Sequence, residues 1–172
     1  MSMLIRVDLI YQLVQGNIYF LGRPRRFGKS LLVSTLKQYF RGNKELFKGL
    51  AIDKLETEWK QYPVFHIDFC TGNYLNDGVL EDVLSDNLTE WEAQYEVAKT
   101  SNDLGLRFQK VLRAAHEKTG LGAVVLIDEY DKPILDVIEL DYQVEHLGKM
   151  ISLEEKHRNI MKSFYTTFKG AD

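Results

Sequence analysis

Two short stretches hold the residues whose chemistry is easiest to read. Phe27-Gly28-Lys29-Ser30 joins an apolar run to an amphipathic one, and Asp128-Glu129 closes a second apolar run far downstream. Glycine at 28 lets the backbone approach a phosphate closely, or take a dihedral that a side chain forbids. The N–H groups opening the following helix have no partners within it, and the helix dipole adds positive potential there. Lys29 has the reach to bind β- and γ-phosphate oxygens, and the Ser30 hydroxyl suits Mg2+. An acidic pair ending a hydrophobic strand is the Walker B pattern. Asp128 would sit at the carboxyl end of the sheet, where α/β folds bind ligands, and hold Mg2+ directly or through water. Glu129 would polarise an attacking water as general base. Each motif alone is weak, since glycine and serine are common at helix starts and acidic residues are common after strands. Their pairing, with helices and a strand between, is the stronger signal.

The loop departs from the usual spacing G-x-x-x-x-G-K-[ST], which places glycine where this chain has Arg23, with Gly22 just before it. Either Gly22 serves a loop one residue longer, or Arg23 takes the conformation that glycine normally supplies. Pro24 stiffens the loop in both cases. The expected nucleotide cradle runs through Gly22, Arg23, Pro24, Arg25, Arg26, Phe27, Gly28, Lys29, Ser30 and Leu31. Arg25 and Arg26 suit an arginine-finger role on transition-state charge, and equally suit a solvated basic loop.

The elements that must position these residues follow from periodicity. Residues 8–15 read as a short helix ended by Gly16, and 17–22 as an apolar, aromatic strand. Residues 30–41 carry Leu32, Leu36, Tyr39 and Phe40 at helical spacing, with Gly42 placed to terminate the helix. A proline-led apolar run at 63–70 reads as a strand, 77–99 as a long helix stepping through Leu80, Leu84, Leu88, Trp91 and Tyr95, and 103–119 as another stopped by Gly120. Residues 123–127, AVVLI, read as a parallel strand covered on both faces. Val144, Leu147 and Ile151 make 141–169 read as a final helix. Alternating strands and helices predict a three-layer α/β fold around a parallel sheet, within one domain spanning 1–172.

Composition sets the frame. With 45% hydrophobic and 27% charged residues, the chain belongs with globular domains rather than disordered or fibrous chains. No apolar run approaches the ~18 residues a membrane helix needs, and Arg6 and Asp8 break the apolar start, so neither a span nor a signal peptide is expected. The single Cys70 suits a reducing cytoplasm. Residues 1–60 carry 11 Lys and Arg against 5 Asp and Glu, while the remainder carries 11 against 20. Such a basic third could face any polyanion, nucleic acid included, but basic residues interleaved with aromatics are absent outside the loop.

RPRRFGKSLL at 23–32 with VVLIDEYDKPI at 124–134 resembles the predicted AAA-ATPase-like proteins, large bacterial proteins common in gut anaerobes. DLIYQLV at 8–14, GNKELFKGLAI at 42–52 and PVFHIDF at 63–69 extend the resemblance over nearly the whole chain. It implies a P-loop NTPase fold that binds ATP with Mg2+, with Lys29 and Glu129 catalytic and Ser30 and Asp128 on the metal. It also implies that Arg23 in place of the first glycine is usual for the family. Such proteins usually continue with another sheet strand and a nuclease-like domain of PD-(D/E)XK type. The chain is therefore expected to be a fragment, truncated before the strand that follows Walker B, with an exposed sheet edge that invites self-association.

Other residues read as structural. Asp68 and Cys70 suit a capping or packing role more than a site role, and His66 a satisfied core position. His116, His146 and His157, on segments expected to be helical, show no metal spacing. Trp59 and Trp91 suit core or interface anchors, and Glu154-Glu155 a solvated helix face. Three functions remain: an ATPase driving conformational change in attached domains, a non-hydrolysing nucleotide sensor, and a nucleic-acid binder. Glu129 favours the first, because a pure binder needs no base; the expected missing strand favours the second. A small-molecule kinase would use the same phosphoryl chemistry, but no substrate-pocket signature accompanies it.

Overall fold

Helix α1 (Lys29–Phe40) forms where 30–41 predicts it. Leu32, Leu36 and Tyr39 fall on one stripe and are all buried. Gly42 ends the helix at φ 70, its N–H donating to the Tyr39 carbonyl at 2.9 Å. A Cβ at that position would lie 2.8 Å from the Trp59 carbonyl oxygen, so space as well as dihedral demands glycine. The computed structural model describes residues 28–167. The helix expected at 8–15, the strand expected at 17–22 and the loop residues Gly22 to Phe27 lie outside them.

A 3₁₀ turn (Lys44–Phe47) and a short helix α2 (Ala51–Leu55) follow. They bring Phe47 and Ile52 onto the α1 stripe, where Phe40, Trp59 and Leu126 also pack. The Tyr39 ring meets Phe40 and Trp59 edge-on at centroid distances of 5.2 and 5.8 Å, a geometry that adds to plain area burial. Trp59 is thus a core-packing residue, as its sequence setting suggested.

Strand β1 (Val64–Asp68) buries Phe65 and Ile67 on alternate positions. It stops two residues short of the expected end because the Asp68 carboxylate accepts the Cys70 N–H at 2.8 Å and turns the chain into a 3₁₀ helix, Phe69–Thr71. Its neighbour is β2 (Val124–Asp128), and together they make a small parallel sheet in a mixed α/β structure. Helix α1 packs against β2. Full cover on both faces of β2 is not found: Val124 to Ile127 are half-buried. Two described strands are too narrow a sheet to enclose one of their own. Residues 28–66 and 121–128 form one compact unit, and 67–120 with 129–167 a second.

The second unit is built on helices. α3 (Val79–Gln94) buries Leu80, Leu84, Leu88 and Trp91, and α4 (Leu104–Thr119) buries Phe108, Val111, Leu112 and Ala115. Each buried Leu, Val and Phe among them contributes about 1.5–3 kcal/mol. α3 ends five residues before the expected 99, with Tyr95 as its cap and Glu96 at φ 57. Asp103 opens α4 by accepting the Leu106 N–H at 2.8 Å, and Gly120 closes it in the left-handed conformation.

Buried Arg107 locks these two helices. Its Nε and Nη2 donate to the two Glu92 carboxylate oxygens at 2.8 Å, and Nη1 donates to Ser85 Oγ at 2.7 Å. Those hydrogen bonds hold the Glu92 carboxyl below its ordinary range. Lysine keeps the charge but not the fork, so Arg107→Lys is expected to cost about 1.5–3 kcal/mol of unfolding free energy in urea titration. A depressed carboxylate contributes stability above its unfolded pKa, and the contribution fades as pH falls through the folded pKa. The gap between wild type and variant should therefore narrow in acid.

The segment 141–169 corrects the sequence reading. Instead of one helix it forms strands β3 (Gln143–His146) and β4 (Lys149–Ser152), paired antiparallel, and then a helix over Leu153–Thr166. Leu147 and Gly148 have φ 51 and 76, the positive pair that a two-residue type I′ turn needs. Val144 and Ile151, seven apart, are directly cross-strand partners, so a spacing that imitates two helical turns comes from a hairpin. Among the histidines expected on helices, His146 therefore sits on a strand. The last helix starts where Ser152 Oγ accepts the Glu155 N–H at 3.1 Å.

Candidate functional site

The start of α1 is shaped for an anion. Gly28 occupies the N-cap position at φ 75 and ψ 26, a left-handed conformation that costs another residue about 1–2 kcal/mol. No side chain caps the helix, its first turn has no acidic residue, and the first helical bond runs from Leu32 N–H to the Gly28 carbonyl at 3.0 Å. Amide donors and the positive end of the dipole thus meet at Lys29 and Ser30. Ser30 and Leu31 are exposed, Leu31 by 48%.

At the end of β2 Asp128 is buried, with its side chain 6% exposed. The Lys29 ammonium lies 3.9 Å from Asp128 Oδ1. Two residues from sequence-distant motifs are therefore brought together within the first unit, because α1 packs on the strand that carries the acid. This places a cation, a carboxylate and a helix N-terminus side by side, a combination suited to a phosphate group carrying a hard cation. Ser30 and Asp128 supply oxygen donors only, which fits Mg2+ in chemical type. Among the described residues no group of three or more His, Cys, Asp and Glu forms a metal cluster, and Mg2+ ordinarily takes one or two protein oxygens and completes its shell with phosphate and water.

Glu129 follows with φ 50, a left-handed backbone at a non-glycine residue, and is half-buried. Tyr130 is 45% exposed, and the Lys132 N–H donates to the Glu129 carbonyl at 3.0 Å. Arg25 and Arg26 lie outside the described residues. Asp68 serves as a cap, Cys70 is exposed, and His66 Nδ1 accepts from Lys37 Nζ at 3.4 Å. Lys132, Gly72 and Tyr74 were not singled out in the sequence, and His157 was read there only as lacking metal spacing; all four lie in or against the segment after Glu129. No local pattern marks them, because their contacts join stretches 24 and 60 residues apart.

The family described as predicted AAA-ATPase matches residues 6–172 of the chain. A relative from Azotobacter chroococcum mcd 1, described as an uncharacterized protein in the vnfD 5′ region, is 43% identical over 122 residues. That alignment takes in 71% of this chain and 24% of the relative, so the chain matches about a quarter of its length. No solved structure matches the chain. No helix among the described residues is long and apolar enough to cross a membrane.

Proposed function

Because the chain belongs to the predicted AAA-ATPase family, we propose that the start of α1 and the end of β2 hold the phosphates of ATP with Mg2+, and that the bound nucleotide is hydrolysed. Nucleotide binding is what the family implies; the single observation that carries the finer reading is the 3.9 Å approach of Lys29 to Asp128. Gly28 gives the phosphates access to the helix-start amides. Lys29 pairs with β- and γ-phosphate oxygens in place of part of its contact with Asp128. Ser30 and Asp128 would hold the metal, which would supply positive charge against the charge that develops on the phosphates. Glu129 accepts a proton from the attacking water, so that ATP and water give ADP and phosphate. Residues 22–27, outside the described residues, belong to this reading through the loop motif alone.

In this reading the chain is a P-loop NTPase domain of three-layer type. The cycle drives conformational change in attached domains, of which the nuclease-like domain implied by the family resemblance is one, or in a second copy of the chain. Equilibrium binding of labelled ATP and GTP tests the core of the proposal. Saturable binding of ATP is the expected result, and no saturable binding of either nucleotide would overturn it.

A further inference from the structure

We propose that Lys132 and His157 are positioning residues that hold Glu129 in its left-handed conformation, an inference that rests on the reading of Glu129 as the general base. A glutamate at φ 50 is a conformation of order 1–3 kcal/mol above its alternatives, and it persists only where the surroundings over-determine it. After Glu129 comes helix α5 (Lys132–Leu135), only four residues long, far below the length at which a helix holds on its own.

What holds it is a tether of side chains within the second unit. The Lys132 N–H closes a turn on the Glu129 carbonyl at 3.0 Å. Its ammonium donates to the Gly72 carbonyl at 3.2 Å, pairs with Asp136, and lies 5.1 Å from the centre of the Tyr74 ring. A carbonyl, a carboxylate and an aromatic face thus meet one cation. One residue on, the Pro133 carbonyl lies 2.7 Å from His157 Nδ1. A carbonyl can only accept, so Nδ1 carries the proton.

Both anchors sit on fully buried rings. Tyr74 and His157 are 0% exposed and meet edge-on at 6.3 Å. Burial, with the Asp68 and Asp136 charges, pushes the Tyr74 phenol up to about 12, so the ring beneath Lys132 stays neutral. Gly72 lets this close: a Cβ there would stand 2.3 Å from Tyr74 Cζ. The loop after β1 and the last helix therefore grip the residues that follow Glu129 from two sides. Removing either grip should let φ at Glu129 relax.

The experiment measures amide hydrogen exchange and ATP turnover on the intact chain for Lys132→Met, Lys132→Arg, His157→Phe and His157→Asn. Lys132→Met and His157→Phe remove the donors; Lys132→Arg and His157→Asn keep them. Exchange over residues 129–136 should rise about tenfold in the first pair and stay near wild type in the second, with α3 and α4 amides unchanged. Turnover should fall about 10- to 100-fold with KM for ATP held, and Lys132→Met should add nothing on a Glu129→Gln background. Unchanged exchange, or faster exchange with wild-type turnover, overturns the proposal. A wild type that binds no ATP yet shows the exchange response supports the tether and overturns the ATPase reading alone.

Discussion

Replacing Glu129 with Gln is expected to lower phosphate release from ATP by about 10²- to 10⁴-fold, the share a positioned general base supplies, while ATP affinity stays near wild type. The substitution keeps the size and one hydrogen-bonding oxygen of the side chain but removes its capacity to take a proton from water. Nothing in the proposed phosphate cradle depends on Glu129, so binding and turnover should separate. Single-turnover phosphate release measured beside equilibrium ATP binding checks this. Equal rates in the two proteins would make the chain a binder whose acidic pair serves another purpose.

Lys29→Ala should act on the other side of that separation. Truncating one partner of a desolvated charge pair costs about 2–5 kcal/mol, which is roughly a 30-fold loss of ATP affinity or more. The same change takes the Lys29 charge away from Asp128, whose side chain is 6% exposed. Losing a partner at a buried carboxylate destabilises folding, so a lower melting temperature without nucleotide should accompany the weaker binding. Calorimetric titration with ATP, and thermal melts with and without it, read both effects. Undiminished affinity would remove Lys29 from the site.

Much of the helical framework was legible in the residues. Leu80, Leu84 and Leu88 could face one way only on a helix, and all three are buried at 0% exposure. Gly42 and Gly120 ended helices as their conformational freedom allows. The tail of the chain was not legible in the same way, because Val144 and Ile151 satisfy both a helical stripe and a hairpin pair. The deciding cues were local: Leu147-Gly148 between two four-residue strands, and Ser152 three before Glu155 as a helix start. Strand β1 ended early for a comparable reason, since the Asp68 side chain competes with the ladder for a backbone N–H.

At the candidate site, sequence spacing suggested that Lys29 and Asp128 share a sheet edge, and the packing of α1 on β2 sets them 3.9 Å apart. Composition and periodicity carry no sign of the grip on the segment after Glu129. Gly72, Tyr74, Lys132 and His157 come from three separate stretches of chain, and only the folded unit makes Lys132 a neighbour of the Gly72 carbonyl. Contacts of that range have no local signature.

In the proposed site Asp128 acts on the nucleotide through a bound metal, beside a helix start that receives the phosphates. Titrating ATP into wild type and Asp128→Asn over a range of Mg2+ concentrations tests it most directly. Mg2+ is expected to tighten ATP binding to the wild type, and this tightening to be lost in Asp128→Asn with metal-free ATP binding retained. Equal tightening by Mg2+ in both proteins would contradict it.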